Sequence, residues 1–360
     1  MDEKKLYPLR FVPTSLETPS AQENYHLADL GYIDTKVEGG WLDSATIGDL
    51  METYLDRIVG DNVYYYFGRL FPVMVKVIST KETLPLLVCP SDEISVPRYD
   101  SLGRKKLWYI LDTEPGAALY LGTRKPFTAT EFYGACMDES ILGGLERIEP
   151  KVGESYLIEP GTVHCAKSGL TILEISESSA LDFHLCTWDG RYEEDSFVQE
   201  GFGIADALDF VRFTPGGWRR IEEKGSDMVS EQEFDVRRIR VEDAMRVFSG
   251  EVDSFIVYVC TEGRVAFQVQ EEDEDGKTVT RTFTIGKGQV ILVPADCEDF
   301  FIVPESPSPE LLEVTLRRMP TPDSFLSADK SDFLEDEGED DEDEEDDTPV
   351  QPRQLGRFLN

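Results

Sequence analysis

Short apolar runs bounded by glycine, proline or charged clusters recur along most of the chain, a pattern typical of β-strands. An Asp275-Gly276 pair between two such runs predicts a hairpin turn. Many strands with few helices favour a sandwich or a barrel. The clearest runs are LWYIL (107–111), AALYL (117–121), SYLI (155–158), TILEI (171–175), FIVYVC (255–260) and RVAFQV (264–269).

Helical spacing is confined to the first third and to short connections. Between Thr46 and Ile58, apolar residues recur at helical spacing, and Gly60 is placed to end that helix. Thr128 and Glu131 fit a capping box, which predicts the start of a second, shorter helix.

One internal repeat indicates a duplicated domain. A glycine turn, an apolar strand and a proline run from Gly153 to Pro160, and the same order returns from Gly288 to Pro294, about 134 residues later. A second apolar strand follows each copy. Two unrelated turns in a β-rich protein would give the same pattern, so equivalent hairpins in separate barrels are the test of duplication.

The acidic composition of the chain argues against one class of function. The chain has 35 Lys and Arg against 72 Asp and Glu, a formal net charge of -37, which argues against binding to a nucleic-acid backbone. Between Asp332 and Asp347, thirteen of sixteen residues are acidic, which predicts a disordered tail. That tail serves either solubility or docking of a basic protein partner.

The compartment expected for this chain is the cytoplasm. Its start has no apolar signal segment, and no window reaches the roughly 18 apolar residues of a membrane span. Six cysteines are scattered without CxxC pairing, which predicts reduced, mostly buried thiols.

The clearest chemical motif is G-x6-P-G-x2-H, formed by Gly153, Pro160, Gly161 and His164. It resembles the second motif of cupin barrels, in which the strand-end histidine binds a metal inside the barrel. A strand corner whose histidine bonds to a backbone group is the alternative. In the second copy, Glu298 takes the place of His164.

A longer resemblance includes this motif. The segments YPLRFVP, DLMETYLDRIVGDNVYYYFGRLFPVMVKVI, LPLLVCPSDE, SLGRKKLWYILDTEPGAALYLG, GESYLIEPGTVHCAKSGLTILEI and FHLCTWDGR occur in this order. Together they resemble class I mannose-6-phosphate isomerases of the short, two-cupin type, strongly up to about Arg191 and loosely to about residue 318. Such enzymes interconvert mannose 6-phosphate and fructose 6-phosphate with one zinc ion.

The resemblance implies an all-β fold with a few helices, built of tandem cupin jelly-roll barrels. We expect residues 1–60 to form an N-terminal segment with an amphipathic helix that packs on the first barrel. Residues 61–200 would form the first barrel with a vestigial metal site, 201–320 the second barrel, and 321–360 the acidic tail.

Compared with the family pattern, this chain replaces most of the implied metal ligands. A family Gln and His correspond to Leu87 and Cys89, a family Glu corresponds to Lys106, and His164 alone remains. A substrate-facing Arg corresponds to His184. Near the N-terminus, Pro19-Ser20-Ala21 stands in the neighbourhood of the family's Trp-Gly-Gly.

Lys106 is the replacement with the largest electrostatic effect. An ammonium about 4 Å from a dication is repelled by roughly 8 kcal/mol at an effective dielectric constant near 20. We therefore expect no tightly bound zinc, with Cys89 and His164 as vestigial metal positions. Lys106 and His184 are the candidate catalytic positions in the pocket.

Two alternatives use the remaining side chains. Arg104, Lys105 and Lys106 could bind an anionic sugar phosphate, or this run could be a solvated loop. Cys89, His164 and His184 could instead regroup as a soft metal site.

Other candidates carry less chemistry. Asp92, Glu93 and Glu174 are the carboxylates near the presumed pocket that could act as a general base. Cys165 is predicted to be a core residue, and His26 has no partner at a readable spacing.

Three hypotheses for the function follow. The first is a divergent isomerase-like bicupin of carbohydrate metabolism, catalytically impaired or altered, that binds a sugar phosphate. The second is an active metal-dependent aldose–ketose isomerase that uses zinc. The third is an interaction protein that uses its acidic tail.

Overall fold

The computed structural model describes residues 4–188, 203–222, 225–250, 252–272 and 277–316. The acidic run from 332 to 347 and the Asp275-Gly276 turn lie outside them.

The first thirteen strands are β1 (Leu9–Val12), β2 (Thr14–Glu17), β3 (Ala21–Leu27), β4 (Lys36–Val37), β5 (Val73–Thr80), β6 (Leu86–Val88), β7 (Lys106–Thr113), β8 (Leu119–Thr123), β9 (Leu145–Ile148), β10 (Ser155–Ile158), β11 (His164–Ala166), β12 (Leu170–Glu177) and β13 (Phe183–Cys186). The remaining strands are β14 (Trp218–Arg220), β15 (Asp227–Ser230), β16 (Asp235–Arg240), β17 (Met245–Phe248), β18 (Ile256–Glu262), β19 (Arg264–Glu272), β20 (Thr278–Gly286), β21 (Val290–Val293), β22 (Asp299–Pro304) and β23 (Glu310–Thr315). The helices are α1 (Ile47–Thr53), α2 (Asp56–Val59), α3 (Asp61–Phe67), α4 (Asp92–Tyr99), α5 (Ala129–Met137) and α6 (Ile204–Ala207), with short 3-10 helices at Gly40–Leu42 and Ser140–Gly144.

These strands form two barrels, each made of a large and a small antiparallel sheet. In the first barrel, the order β14-β10-β7-β12-β5-β3-β2 faces the order β13-β6-β11-β8-β9. In the second, β15-β16-β23-β18-β21-β1-β4 faces β17-β22-β19-β20. The all-β tandem cupin fold predicted from the sequence is confirmed.

The duplication is confirmed strand by strand. The eight strands from β5 to β12 and the eight from β16 to β23 follow the same order within their sheets, so that β10-β7-β12-β5 matches β21-β18-β23-β16. The two repeated sequence segments lead into β10 and β21, which are equivalent strands of different sheets. Nothing in a chance pair of turns would produce this correspondence.

The N-terminal segment contacts the second barrel as well as the first, on which we expected it to pack. β1 pairs with β21 of the second barrel, whereas β2 and β3 extend the large sheet of the first. This segment therefore ties the two barrels together. Its helix α1 contributes Leu50 and Met51 to a core shared by both large sheets.

The helix predicted between Thr46 and Ile58 is broken into α1 and α2 at Leu55, whose φ is 49°. Gly60 then ends α2 with a φ of 87°, and a Cβ there would lie 2.5 Å from the Asp253 carbonyl oxygen. The chain turns repeatedly because it must pass close to the second barrel. The Thr128 capping box of α5 is confirmed.

The two barrel interiors differ in chemistry. The second is filled by apolar side chains such as Tyr258, Phe267 and Phe300, and Glu298 is exposed at its edge. All six cysteines are buried and reduced, as predicted. Within the described ranges, no helix is long and apolar enough to cross a membrane. Charged groups lie deep inside the first barrel, which is where the candidate site is found.

Candidate functional site

The site lies between the two sheets of the first barrel. On the small sheet, Leu87 of β6 stands directly opposite both His164 of β11 and His184 of β13. Directly opposed residues of antiparallel strands share a face, so these three positions form one row. The large sheet presents Lys106 and Trp108 from β7, with Glu174 from β12 opposite Trp108.

Lys106 connects the two sheets. Its side chain is buried, and its Nζ lies 3.2 Å from His164 Nε2 and 2.9 Å from Asp182 Oδ1. Glu174 Oε2 is 3.8 Å from the same Nζ. Burial and the Arg104 charge lower the pKa of Lys106, but Asp182 and the other anionic groups outweigh them and raise it overall. The amine is therefore an ammonium ion.

The tautomer of His164 follows from its partners. Its Nδ1 lies 2.8 Å from the Thr162 carbonyl oxygen, which can only accept, so Nδ1 carries the proton. Burial and then the Lys106 charge lower the pKa of His164 to about 3, so the ring is neutral. Its Nε2 lone pair accepts from the Lys106 ammonium. The Trp108 ring packs edge-on against this imidazole, with centroids 5.4 Å apart.

Two ionised carboxylates complete the centre. Asp182 accepts from Arg104 Nη1 at 2.5 Å, and Glu174 accepts from Arg104 Nη2 and Trp108 Nε1, each at 2.7 Å. Burial opposes ionisation of Asp182, but Arg104 and Lys106 hold its pKa well below the usual range. The pKa of Glu174 is lowered in the same way by Lys106, Lys76 and Arg104 against the effect of burial.

Charges in this network balance. Lys76 lies 3.9 Å from Glu174 and 2.7 Å from Glu23. Three cations therefore face three carboxylates in the described part of the barrel: Lys76, Arg104 and Lys106 against Glu23, Glu174 and Asp182. Each buried charge thus has an opposite partner, and removal of any one of them would leave an uncompensated charge.

The fold places the three predicted basic site residues on different faces. Arg104 and Lys106 enter the barrel, whereas Lys105 points to the opposite face and pairs with Glu159, Glu231 and Glu233. All three basic residues are at least nine-tenths buried, so the solvated-loop alternative is wrong. The three basic residues therefore do not face one common ligand, which corrects that expectation.

Cys89 lies close to the charged network of the barrel, but its thiol is hydrogen-bonded to a carboxylate. Its Sγ donates to Asp182 Oδ1 at 3.0 Å, and burial raises the pKa of the thiol to about 12. Across the described residues, no group of three or more His, Cys, Asp or Glu side chains has the arrangement of a metal site. His184 shares the row of His164 but is only half-buried.

Of the proposed general bases, only Glu174 lies in the barrel. Asp92 and Glu93 are at the start of α4 and line a cavity on the outer face of the barrel. Cys165 is a core residue, as expected, and burial raises its pKa. His26 is half-buried on β3, and burial lowers its pKa to about 4.

Sequence reasoning missed Asp182 and Lys76. Asp182 lies in the link between β12 and β13, where no motif marks it. Lys76 did leave a signal, because it is a single lysine inside the apolar run VMVKVI of β5, and such a lysine needs a buried anionic partner.

No protein-family model matches the chain. Among curated proteins, it is 30% identical over 146 residues to the probable mannose-6-phosphate isomerase GmuF of Bacillus subtilis (strain 168), which covers 39% of this chain and 46% of that protein. It is 26% identical over 166 residues to mannose-6-phosphate isomerase ManA of the same strain, covering 44% and 49%. The chain thus matches about half the length of these curated relatives.

Comparison with solved structures shows a similar fold over most of the chain. The mannose 6-phosphate isomerase from Bacillus subtilis superimposes with a TM-score of 0.70 at 19% identity, covering 86% of this chain and 99% of that one. The chain is thus similar to mannose-6-phosphate isomerases in sequence over part of its length and in fold over most of it. A putative mannosephosphate isomerase from Archaeoglobus fulgidus has the same fold, with a TM-score of 0.65 at 16% identity over 88% of this chain and 100% of that one.

The family resemblance drawn from the sequence motifs is therefore confirmed. A further mannose 6-phosphate isomerase of this fold, at 11% identity and a TM-score of 0.64 over 87% of this chain and 100% of that one, has been solved in a zinc-bound form.

Proposed function

We propose that this chain is a mannose-6-phosphate-isomerase-like bicupin that works without zinc, does not interconvert mannose 6-phosphate and fructose 6-phosphate, and instead binds a sugar phosphate. The observation that carries the proposal is the 3.2 Å contact between Lys106 Nζ and His164 Nε2. A zinc ion at His164 would need the same lone pair.

The surrounding donors do not suit zinc. Zinc in proteins takes three or four donors from thiolate, imidazole and carboxylate groups. Leu87 offers none, the Cys89 thiol keeps its proton, and the position of a ligand carboxylate is held by the Lys106 ammonium. The Lys106 ammonium already places a positive charge beside His164, so it would repel an added zinc dication.

Binding of a sugar phosphate is supported at the opening of the barrel. The Asp182 side chain is 21% exposed, whereas that of Glu174 is 1% exposed, so the network is reached from Asp182. The Nε of Arg104 is buried and donates to no acceptor in the described part of the chain. An oxygen of a phosphate or a sugar hydroxyl can satisfy that donor, and a guanidinium recognises phosphate well.

Purified native protein is expected to contain far less than stoichiometric zinc by plasma emission spectrometry, and to show no turnover of mannose 6-phosphate in a coupled assay with added zinc. Titration calorimetry is expected to detect binding of mannose 6-phosphate or fructose 6-phosphate that weakens in Arg104→Lys, because a lysine cannot supply the guanidinium fork.

A His164→Ala variant, purified in the same way, is the control for contaminating host isomerase. Turnover that disappears in this variant, together with stoichiometric zinc in the native protein, would overturn the proposal and establish an active isomerase. Absence of binding by both sugar phosphates would remove the ligand assignment and leave the zinc-free assignment standing.

A further inference from the structure

A partly open cavity lies outside the first barrel, where the two barrels meet. It has a volume of about 730 Å³, within the range of small-molecule sites. Its walls come from the start of α4, the outer face of the first barrel and the loop between β15 and β16 of the second. Lys105 reaches into it, whereas its neighbour Lys106 enters the barrel. This junction cavity is therefore separate from the site described above.

Carboxylates are in excess around the junction cavity. Five line it, namely Asp92, Glu93, Glu159, Glu177 and Glu233, against the basic side chains of Lys105 and Arg212. The Lys105 ammonium is already paired, at 2.8 Å from Glu233, 3.2 Å from Glu231 and 3.4 Å from Glu159. The cavity thus has an uncompensated negative charge.

Glu177 differs from the buried carboxylates of the barrel. The residue is 5% exposed, and its Oε2 accepts from the Lys105 backbone N–H at 2.8 Å. Among the described residues, no cation lies within ion-pair distance of it, whereas Glu174 has three cations around it. Burial, then Asp92, raises the pKa of Glu177 to about 8. A buried carboxyl without a counter-ion normally costs stability, so its place at a cavity wall needs a reason.

We propose that the junction cavity binds a small organic ammonium ion, and that Glu177 is the carboxylate that pairs with the ammonium group. The apolar wall residues Phe67, Pro72 and Leu102 provide contacts for the hydrocarbon part of such a ligand. An ammonium group needs only one to three acceptors. A metal ion needs more carboxylates in close convergence, and the described residues contain no such group.

Proton release is the signature of this binding mode. A bound cation lowers the pKa of Glu177, which at pH 8 is about half protonated, so binding expels part of a proton. Affinity should therefore rise from pH 7 to pH 9. The other charged groups that face Glu177 are Asp92, Glu233 and Lys105, and the more distant wall adds Glu93, Glu159 and Arg212.

The test is calorimetric titration of the full chain with pentane-1,5-diammonium at pH 8 in 0.15 M NaCl, repeated in two buffers of different ionisation heat. Native protein is expected to release about half a proton per bound ligand. Glu177→Gln should weaken binding by about tenfold or more and abolish proton release, since about 1.4 kcal/mol is a factor of ten. The neutral analogue 1,5-pentanediol should not bind.

Glu149→Gln is the matched control, because it removes one exposed carboxylate outside the cavity. It separates specific pairing from general attraction to a strongly acidic chain, and it should leave affinity and proton release unchanged. Equal binding by native protein and Glu177→Gln, equal weakening by both variants, absence of binding, or the same proton release with MgCl2 would each overturn the proposal.

Stability against pH tests the premise independently. A carboxyl with a folded pKa of about 8 and an unfolded pKa of about 4.3 holds a proton that only the folded state binds between those values. Native stability therefore falls as pH rises from about 4.3 to 8. Without ligand, Glu177→Gln should melt several degrees above native protein at pH 8.5 and at the same temperature at pH 4. Identical melting at pH 8.5 would mean that Glu177 is already compensated.

Discussion

A Lys106→Met variant is expected to lose about 3–5 kcal/mol of the free energy of unfolding, the usual cost of removing one partner from a buried ion pair. Methionine keeps much of the side-chain volume but leaves Asp182 with Arg104 as its remaining close cation. The His164 Nε2 lone pair also loses its donor. Urea unfolding at pH 7, followed by tryptophan fluorescence, measures the loss.

Lys105→Met is the matched control from the adjacent position. Its three carboxylate partners are 21–32% exposed, so water can solvate them after the lysine is removed. The expected loss is about 1 kcal/mol. Equal losses in the two variants, or a Lys106→Met protein as stable as native, would contradict the view that the Lys106 ammonium balances the charges of the barrel centre.

Local sequence patterns predicted the long apolar strands of both barrels, such as β7, β12, β18 and β19, because apolar runs bounded by turn residues are typical of β-strands. They could not give the pairing of β1 with β21, since the partners lie at distant positions of the chain and any apolar strand could have paired there. The break of the predicted helix at Leu55 could not be predicted from the sequence either. The apolar spacing around it is helical, and no sequence pattern indicates the φ of 49° that Leu55 adopts or the close packing of Gly60 against the Asp253 backbone.

The candidate site was predictable to the extent that its residues sit on motif-bearing strands. His164 and Lys106 could be placed inside the barrel because the family motifs fix their strands and faces. Asp182 could not, since it lies in a link whose path depends on the packing of β13 against β6. Without Asp182, the cations Arg104 and Lys106 looked free of partners, whereas the structure pairs both with carboxylates and leaves Arg104 Nε as the donor without an acceptor in their described surroundings.

If the barrel centre has lost a zinc site, as the family resemblance implies, its net charge would be the same with and without the replacements. In the family pattern, a zinc dication and a glutamate carboxylate together carry one net positive charge, and the Lys106 ammonium alone carries the same charge. Glu174 and Asp182 would thus face an equal charge in either arrangement. Loss of the glutamate without gain of the lysine, or the reverse, would leave the centre unbalanced.

The triple variant Leu87→Gln, Cys89→His and Lys106→Glu is expected to bind zinc at close to one ion per chain, whereas native protein does not. Removing the ammonium releases the His164 Nε2 lone pair. Leu87 lies directly opposite His164 on the small sheet, and Lys106 reaches the same imidazole from the large sheet, so new donors at these positions approach it from both sides. Four ligands of suitable type and charge are then available. Zinc content after dialysis, and the affinity from competition with a chelator, measure the gain.

Stability should change in step with the metal. Without zinc, the new carboxylate at position 106 lies beside Glu174 and Asp182 with no ammonium between them, so the triple variant should melt well below native protein. Added zinc should raise its melting temperature, because a ligand that binds only the folded state stabilises it. Lys106→Glu alone, which leaves Leu87 and Cys89 in place, is the control and should gain little zinc. A triple variant that stays free of zinc, or native protein that takes up as much, would show that Lys106 does not decide metal binding in this barrel. Isomerisation need not return with the metal, because His184 stays where the family pattern has a substrate-facing arginine, and a displacement of about 1 Å in a bound sugar can cost a hundredfold in rate.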